Sequence, residues 1–447
     1  MAALPPWGRG PKADLIFGHL GQFGRDPLAF LERCARDYGD FVPLRFLAKR
    51  IVLINDPAAI ETVLGGGLRD SRKTIGYRTP FMRRLFGQGL LTNEGDSWLR
   101  QRRLAQPAFH RDRIAGYGTA INELTATHLA AWRSGEERNV HHDMLQLTTR
   151  VVTKTLFNAA PPPEVDEMGA ASEAVMHRFA QQLRGFRIFL GLLPSPAGWR
   201  FRTVLNRLDR YIYRLIAERR ATGRDEGDLL SMLLRARDED GQGMADRQLR
   251  DELVTLMVAG LDTTALALSW ALHLLALNPS VAAALQAEVD AWPAEAPPGF
   301  ADLPRLPLTE AVIKESMRLY PPAWIVGREL LRPVEIGGHT LPAGTSILMS
   351  QWLQHHDARH FPEPLRFHPG RWLTGETRAL PKFAYFPFGG GARVCIGSGL
   401  AMLEAVLVLA QVARRFHFTA PPGHAVTPWP AITLYPRGGI RLRVTAR

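Results

Sequence analysis

A mainly α-helical fold with small peripheral β-sheets is the fold class this sequence predicts, and three observations carry it. Apolar residues recur at three-to-four spacing over Tyr211 to Arg219, Asp246 to Leu277, Pro307 to Tyr320 and Gly399 to Phe416, the period of helices with one face against a core. Strand-like runs are few and short, and they lie scattered between the helical patterns. With 447 residues, 46% hydrophobic and 22% charged, the chain can bury a large core. That composition excludes a disordered protein, a collagen-like fibre and a charged linker array.

In chain order, the strand-like runs Phe41 to Phe46 and Arg50 to Ile54 come first. The helical pattern of Tyr211 to Arg219 leads to Asp246 to Leu277, about 32 residues or roughly 48 Å, enough to cross a whole domain. Its second half is apolar nearly all round, as in a buried helix. Its centre reads Ala259-Gly260-Leu261-Asp262-Thr263-Thr264. Glycine costs up to about 1 kcal/mol inside a helix, and an aspartate in apolar surroundings needs a partner. A kink and a ligand are expected there. The helix Pro307 to Tyr320 follows, then Val334 to Ile336, Ser346 to Met349, the helix Gly399 to Phe416 and the strand Ile440 to Val444. Proline clusters at Pro161–Pro163, Pro194–Pro196, Pro297–Pro298 and Pro421–Pro422 are too short for flexible linkers. No repeat is visible, so residues 1–447 are expected to form a single domain, with 1–25 as an N-terminal extension.

Two distant cysteines, Cys34 and Cys395, exclude a disulfide scaffold and point to a reducing compartment. The net formal charge of +12 is almost all arginine. A basic balance suits nucleic acid, an acidic membrane surface or an acidic protein. Without a basic tail, zinc spacing or an RNA-binding aromatic signature, no nucleic acid is expected. A membrane span needs ~20 apolar residues. Leu253 to Leu277 is interrupted by Asp262 and Leu400 to Val412 by Glu404, while Met1 to Leu20 carries three prolines and several charges. Neither a signal peptide nor a membrane anchor is expected, and the location expected is cytoplasmic. Cys34 is expected to be a thiol without function. The pairs His141–His142 and His355–His356 lack a third metal ligand at suitable spacing and are expected to be loop polar residues.

The run Phe388-Gly389-Gly390-Gly391-Ala392-Arg393-Val394-Cys395-Ile396-Gly397 puts a cysteine at the end of a glycine-rich loop and just before a long apolar helix. Glycines permit strained turns and close backbone approach, so amide N–H groups can point at sulfur. The positive end of the next helix favours the thiolate. A small core cysteine is the bland alternative. A phosphate loop is another, but it lacks the lysine and Ser/Thr that would follow.

The full run resembles the heme-thiolate signature of the cytochrome P450 superfamily, Phe-x-x-Gly-x-Arg-x-Cys-x-Gly, at every fixed position. The resemblance covers nearly the whole chain and implies that fold, with heme between the long central helix and the cysteine loop, in a soluble bacterial-type member. It implies Cys395 as the axial ligand of heme iron, with Phe388, Gly389, Ile396 and Gly397 beside the heme and Arg393 on a propionate. Glu315-Ser-Met-Arg318 and Pro369-Gly370-Arg371-Trp372 match the family's Glu–Arg–Arg cluster, although Gly370 stands where the family more often has glutamate. Taken alone, Glu315 and Arg318 are an ordinary i, i+3 pair. Ala259 to Thr264 matches the oxygen-binding segment of the central helix, with Asp262 and Thr263 governing protons and Ala259 at the heme face. Trp98-Leu-Arg-Gln-Arg102 matches the family's propionate-binding Trp-x-x-x-Arg, and Arg328 falls where soluble members carry another such arginine. Guanidinium forks suit carboxylates.

By resemblance the protein is a monooxygenase with heme b and O2. One oxygen atom enters a C–H or C=C bond of a lipophilic molecule such as a terpenoid, fatty acid or polyketide, and the other becomes water. NAD(P)H electrons are expected through separate redox proteins, a ferredoxin and a ferredoxin reductase. Arg393, Arg102, Arg103 and Arg113 are candidates for a basic docking face. The resemblance implies a pocket lined by Ile75–Leu91, Val175–Leu193, Val258–Ala259, Ala323–Val326 and Ala431–Leu434. Arg184 or Arg187 are candidates for binding a carboxylate, and Phe179, Phe186, Phe189 and Leu190 for touching a membrane. A heme-thiolate peroxygenase, isomerase or dehydratase would share the cysteine loop without needing the Asp-Thr pair, and a heme sensor would not need the oxygen-binding segment.

Overall fold

The computed structural model describes residues 9–66, 70–159, 196–293, 297–423 and 425–447. The expected segment Val175–Leu193, with Phe179, Arg184, Arg187 and their neighbours, lies outside the described residues.

The long helix spans Asp246–Leu277 and is buried along most of its length. It has the length and apolar character to cross a membrane, but its apolar stretch is packed inside the protein. It stays α-helical through residues 259–264, so the weakened centre does not break it. The glycine there has a packing role, because a Cβ on Gly260 would lie 3.0 Å from Val152 Cγ2 of the helix Val140–Phe157. Thr148 on the same neighbour donates its hydroxyl to the Leu261 carbonyl at 2.8 Å.

Around this axis pack the helices Pro196–Thr222, Pro279–Asp290, Pro307–Leu319 and Ser398–Arg415, and Arg111–Leu129 lies outside them against Ser398–Arg415 and Val140–Phe157. Trp270 of the long helix stacks on Tyr320 at 4.0 Å, worth ~0.5–1.5 kcal/mol beyond its burial. Earlier helices occupy Pro27–Tyr38, Pro57–Gly65 and Gly95–Ala105. The first two begin with proline after an aspartate whose side chain accepts from the third helical N–H: Asp26 from Ala29 and Asp56 from Ala59. That pairing satisfies an otherwise orphaned donor.

A five-stranded sheet lies to one side. Its order is Phe41–Phe46, Lys49–Ile54, Ser346–Met349, Val326–Leu330 and Ser71–Lys73, with the second and third strands parallel and the other pairs antiparallel. Smaller sheets include a hairpin of Pro428–Pro430 with Leu434–Pro436. The last strand spans Arg441–Ala446, one residue later in starting than expected and two later in ending.

His141, His142 and His355 lie in helices, while His356 sits in the turn that follows. His141 is buried at the start of the helix Val140–Phe157. His355 ends a short helix, Gln351–His355, fully buried, and its Nε2 accepts from the Phe386 N–H at 3.0 Å. Polarity in sequence concealed the core positions of His141 and His355. Cys34 is buried in the core, which pushes its thiol up to about 12.

Candidate active site

The cysteine loop hangs between two fixed supports. Gly391 has a φ of +65°, and a Cβ there would run into the Leu64 carbonyl of the helix Pro57–Gly65. Only glycine meets both demands. Gly390 in turn packs on the Phe383 ring. Cys395 N–H donates to Phe388 O at 3.0 Å, which closes the loop and sets the sulfur at the start of Ser398–Arg415.

On the other side a buried ion cluster fixes the helix Pro307–Leu319. Glu315 receives Arg318 Nη2 at 2.9 Å and Nε at 3.0 Å, Arg371 Nε at 3.1 Å, the His368 N–H at 3.0 Å and Trp372 Nε1 at 2.8 Å. Arg318 also binds the carbonyls of His355, Pro364 and Arg366. The cluster joins the helix to the segment leading into the cysteine loop. Burial would raise the Glu315 carboxyl, but Arg318 and Arg371 hold it below its ordinary value.

Between the long helix and the cysteine loop lies a cavity of about 370 Å³. Ala259, Thr263, Arg328, Phe388, Gly389, Arg393, Cys395, Ile396 and Gly397 all line it. Trp98 stands behind the wall, with Arg393 over its ring at 4.6 Å. Two expectations need correction, those for Ala431–Leu434 and for Arg393, and Asp262 takes a place that the sequence left open. Ala431–Leu434 is not part of the cavity wall. Asp262 is not on the wall either; it is buried on another side of the helix, where it accepts from Thr433 Oγ1 at 2.8 Å and from the Tyr435 hydroxyl. Arg393 cannot belong to a docking face, because its side chain is buried and paired with Glu94.

The thiol also departs from expectation. Burial raises the Cys395 pKa, and the Gly397 N–H and the half-buried Arg102 offset only part of that rise. Arg102 thus sits within electrostatic reach of the sulfur and off the cavity wall. Helix and loop alone do not generate a thiolate here; a coordinated cation does so outright.

One cation at this site was missed. Lys73 is buried, lines the cavity and donates Nζ to the carbonyls of Leu90 and Asn93. It sits directly across from Arg328 on the neighbouring strand. Like charges in that position repel. Burial, reinforced by Arg393, pulls the Lys73 ammonium down to about 7. Glu94 serves both Lys73 and Arg393, while burial pushes nearby Glu252 up to about 8 and so keeps it mostly protonated at neutral pH. Arg393 Nη1 is buried with no hydrogen-bond partner. The only sequence signal for Lys73 is its rarity, one of six lysines in an arginine-rich chain. Gln351 and Glu404 also reach the cavity wall with buried polar atoms left unpaired, and burial holds the Glu404 carboxyl well above its usual range.

Buried cations in surplus over carboxylates, in a largely apolar cavity with a thiol in its wall, fit a large apolar group that carries two carboxylates and a metal for the sulfur. Heme meets that description, and the protein falls in the class of heme-thiolate enzymes.

The comparisons agree. The cytochrome P450 family model matches residues 9–437, and the chain belongs to that family. Cyclooctatin synthase of Streptomyces melanosporofaciens is 37% identical over 94% of this chain and 91% of its own. Pentalenene oxygenase of Streptomyces avermitilis is 35% identical over 98% and 97%. A cytochrome P450DA heme domain superposes with a TM-score of 0.86 at 25% identity, covering 98% of each chain. The protein is a P450 monooxygenase that uses heme b, dioxygen and NAD(P)H-derived electrons supplied through partners.

Proposed function

We propose that this P450 oxygenates a terpenoid, and that it does so in the cytoplasm as a single heme-binding domain. The observation that carries the substrate class is the cavity wall away from the cations. Leu91, Val152, Leu156, Leu256, Ala323 and Val326 present hydrocarbon only, and relatives named for cyclooctatin and pentalenene work on terpenoids. A wall of this kind selects by shape and by burial of apolar surface, at roughly 25 cal/mol per Å².

Heme, when bound, supplies the oxygen activation. The residues of the chain hold it and manage water and protons. Cys395 would be the iron ligand, Lys73, Arg328 and Arg393 would meet the propionates, and Trp98 backs Arg393. Thr263 donates its hydroxyl to Ala259 O at 2.8 Å, so the oxygen it turns to the cavity can only accept. It therefore holds a proton-bearing group and is not itself a proton source. Asp262, next to it in the chain, carries protons in from the far side of the helix. Arg103 and Arg113 are exposed and suit the acidic surface of a ferredoxin served by its reductase.

Thr263→Ala is expected to leave substrate binding and heme reduction near normal while product per NAD(P)H falls sharply and hydrogen peroxide rises. A purely structural hydroxyl bonding back along the helix would leave coupling unchanged, and oxygen and peroxide balances distinguish the two. The substrate class is tested by titrating the purified heme protein with sesquiterpenes, diterpenes and fatty acids of similar size while following the spin-state shift. Saturable shifts with terpenes and none with fatty acids are expected; the reverse pattern overturns the assignment.

A further inference from the structure

The cavity wall carries a side chain that its surroundings do not explain. Gln351 lines the cavity and is fully buried, yet neither its amide oxygen nor its NH2 has a hydrogen-bond partner among the described residues. It opens the short helix Gln351–His355, and the chain is pinned on both sides of it. The Ser350 hydroxyl donates to Trp324 O at 2.9 Å and accepts from Leu353 N–H at 3.3 Å, while Trp352 N–H donates to Trp324 O at 3.2 Å. Met349 pairs with Val326 across the sheet. Gln351 is thereby fixed beside residues 323–326, of which Ala323 and Val326 belong to the hydrocarbon part of the wall.

We infer that Gln351 binds a hydroxyl group of the substrate, and that the terpenoid this enzyme oxygenates is already an alcohol when it arrives. The inference deepens the proposed function and rests on its terpenoid reading. Heme propionates do not account for the amide. Arg328, where they would be held, pairs with Ile347, and from there to Gln351 is roughly 13 Å along an extended chain. A propionate arm is too short to cover that distance. A hydrocarbon ligand does not account for the amide either, because it excludes water and offers no partner in return. The amide presents an acceptor and a donor together. An alcohol satisfies both with one oxygen, whereas a ketone or a carboxylate meets only the donor. With the backbone held, the side chain turns about its own bonds to present these groups to the cavity. The preceding step is then of a class that leaves an alcohol on the terpenoid skeleton.

The test is a titration of the purified heme protein, following the spin-state shift, with sesquiterpene and diterpene skeletons each supplied as hydrocarbon, ketone and alcohol. At least one alcohol should bind about tenfold more tightly than its own hydrocarbon, because the hydrocarbon leaves a desolvated amide unpaired. The matching ketone should fall between them. Gln351→Met keeps the length of the side chain and removes its polar atoms, so the three forms should then bind alike. A second readout needs no ligand. Replacing an unpaired buried amide by hydrocarbon should leave the variant at least as resistant to denaturant as the parent.

Alcohols that bind no better than their hydrocarbons overturn the inference, and a water held permanently by Gln351 would give that result. An alcohol advantage that survives Gln351→Met overturns it too, since the hydroxyl is then bound elsewhere. A variant less stable than the parent that weakens all three forms equally marks a structural amide and has the same force. These failures are distinct from that of the proposed function. If fatty acids shift the spin state and no terpene does in any form, the terpenoid reading falls and takes this inference with it. If terpenes bind with no preference for the alcohol, only this inference falls. Should Gln351→Met not take up heme, Gln351→Leu decides the matter.

Discussion

Cys395→His yields a protein without the red-shifted carbon monoxide band of thiolate ligation and without monooxygenase activity. The side chain of Cys395 opens into the cavity, so an imidazole can occupy the same direction. Thiolate donation is what favours O–O cleavage in this family of cofactor sites, and imidazole does not supply it. The other thiol cannot take over, because Cys34 is buried in the N-terminal part of the core and is not on the cavity wall. The reduced carbon monoxide difference spectrum checks this directly; a surviving thiolate band would remove Cys395 from the site.

Glu315→Gln is expected to destabilise the fold by about 3–5 kcal/mol, the usual cost of stripping one partner from a buried ion cluster. The amide leaves Arg318 and Arg371 without a counter-charge, and its NH2 faces the Trp372 or His368 donors that now point at a carboxylate oxygen. Denaturant unfolding of the heme protein, together with heme loss, measures the effect. Its pH dependence has a definite sign. The Glu315 carboxyl is held below its ordinary value in the folded state, so its contribution is present in full above the ordinary glutamate range. It disappears as pH falls through the folded value. The gap between parent and variant should therefore be widest near neutrality and should narrow on acidification.

The cysteine loop was legible because its demands are local: a positive φ at Gly391, close approach to Leu64 and a sulfur before a helix each leave a mark on the sequence. The long helix was legible to the residue, since 32 positions of apolar pattern outweigh one glycine. Lys73 left no such mark. Its burial arises from strand pairing with Arg328 across more than half the chain. The turn of Asp262 toward the hairpin was likewise hidden, because the facing of a fully buried helix is decided by how its neighbours pack. The thiol is raised for a related reason. A helix dipole can be read from sequence, but the depth at which the sulfur sits cannot.

The repulsion among Lys73, Arg328 and Arg393 has a consequence for how the protein matures. Glu94 is the carboxylate that pairs with both Lys73 and Arg393; a bound dianion would turn the same repulsion into attraction. Heme is thus the counterion of the fold as well as its reagent. Whatever it gains in binding is added to the stability of the native state in proportion to the logarithm of its free concentration. Resistance to denaturant is therefore expected to rise with added heme, and a heme titration of the unfolding midpoint measures it.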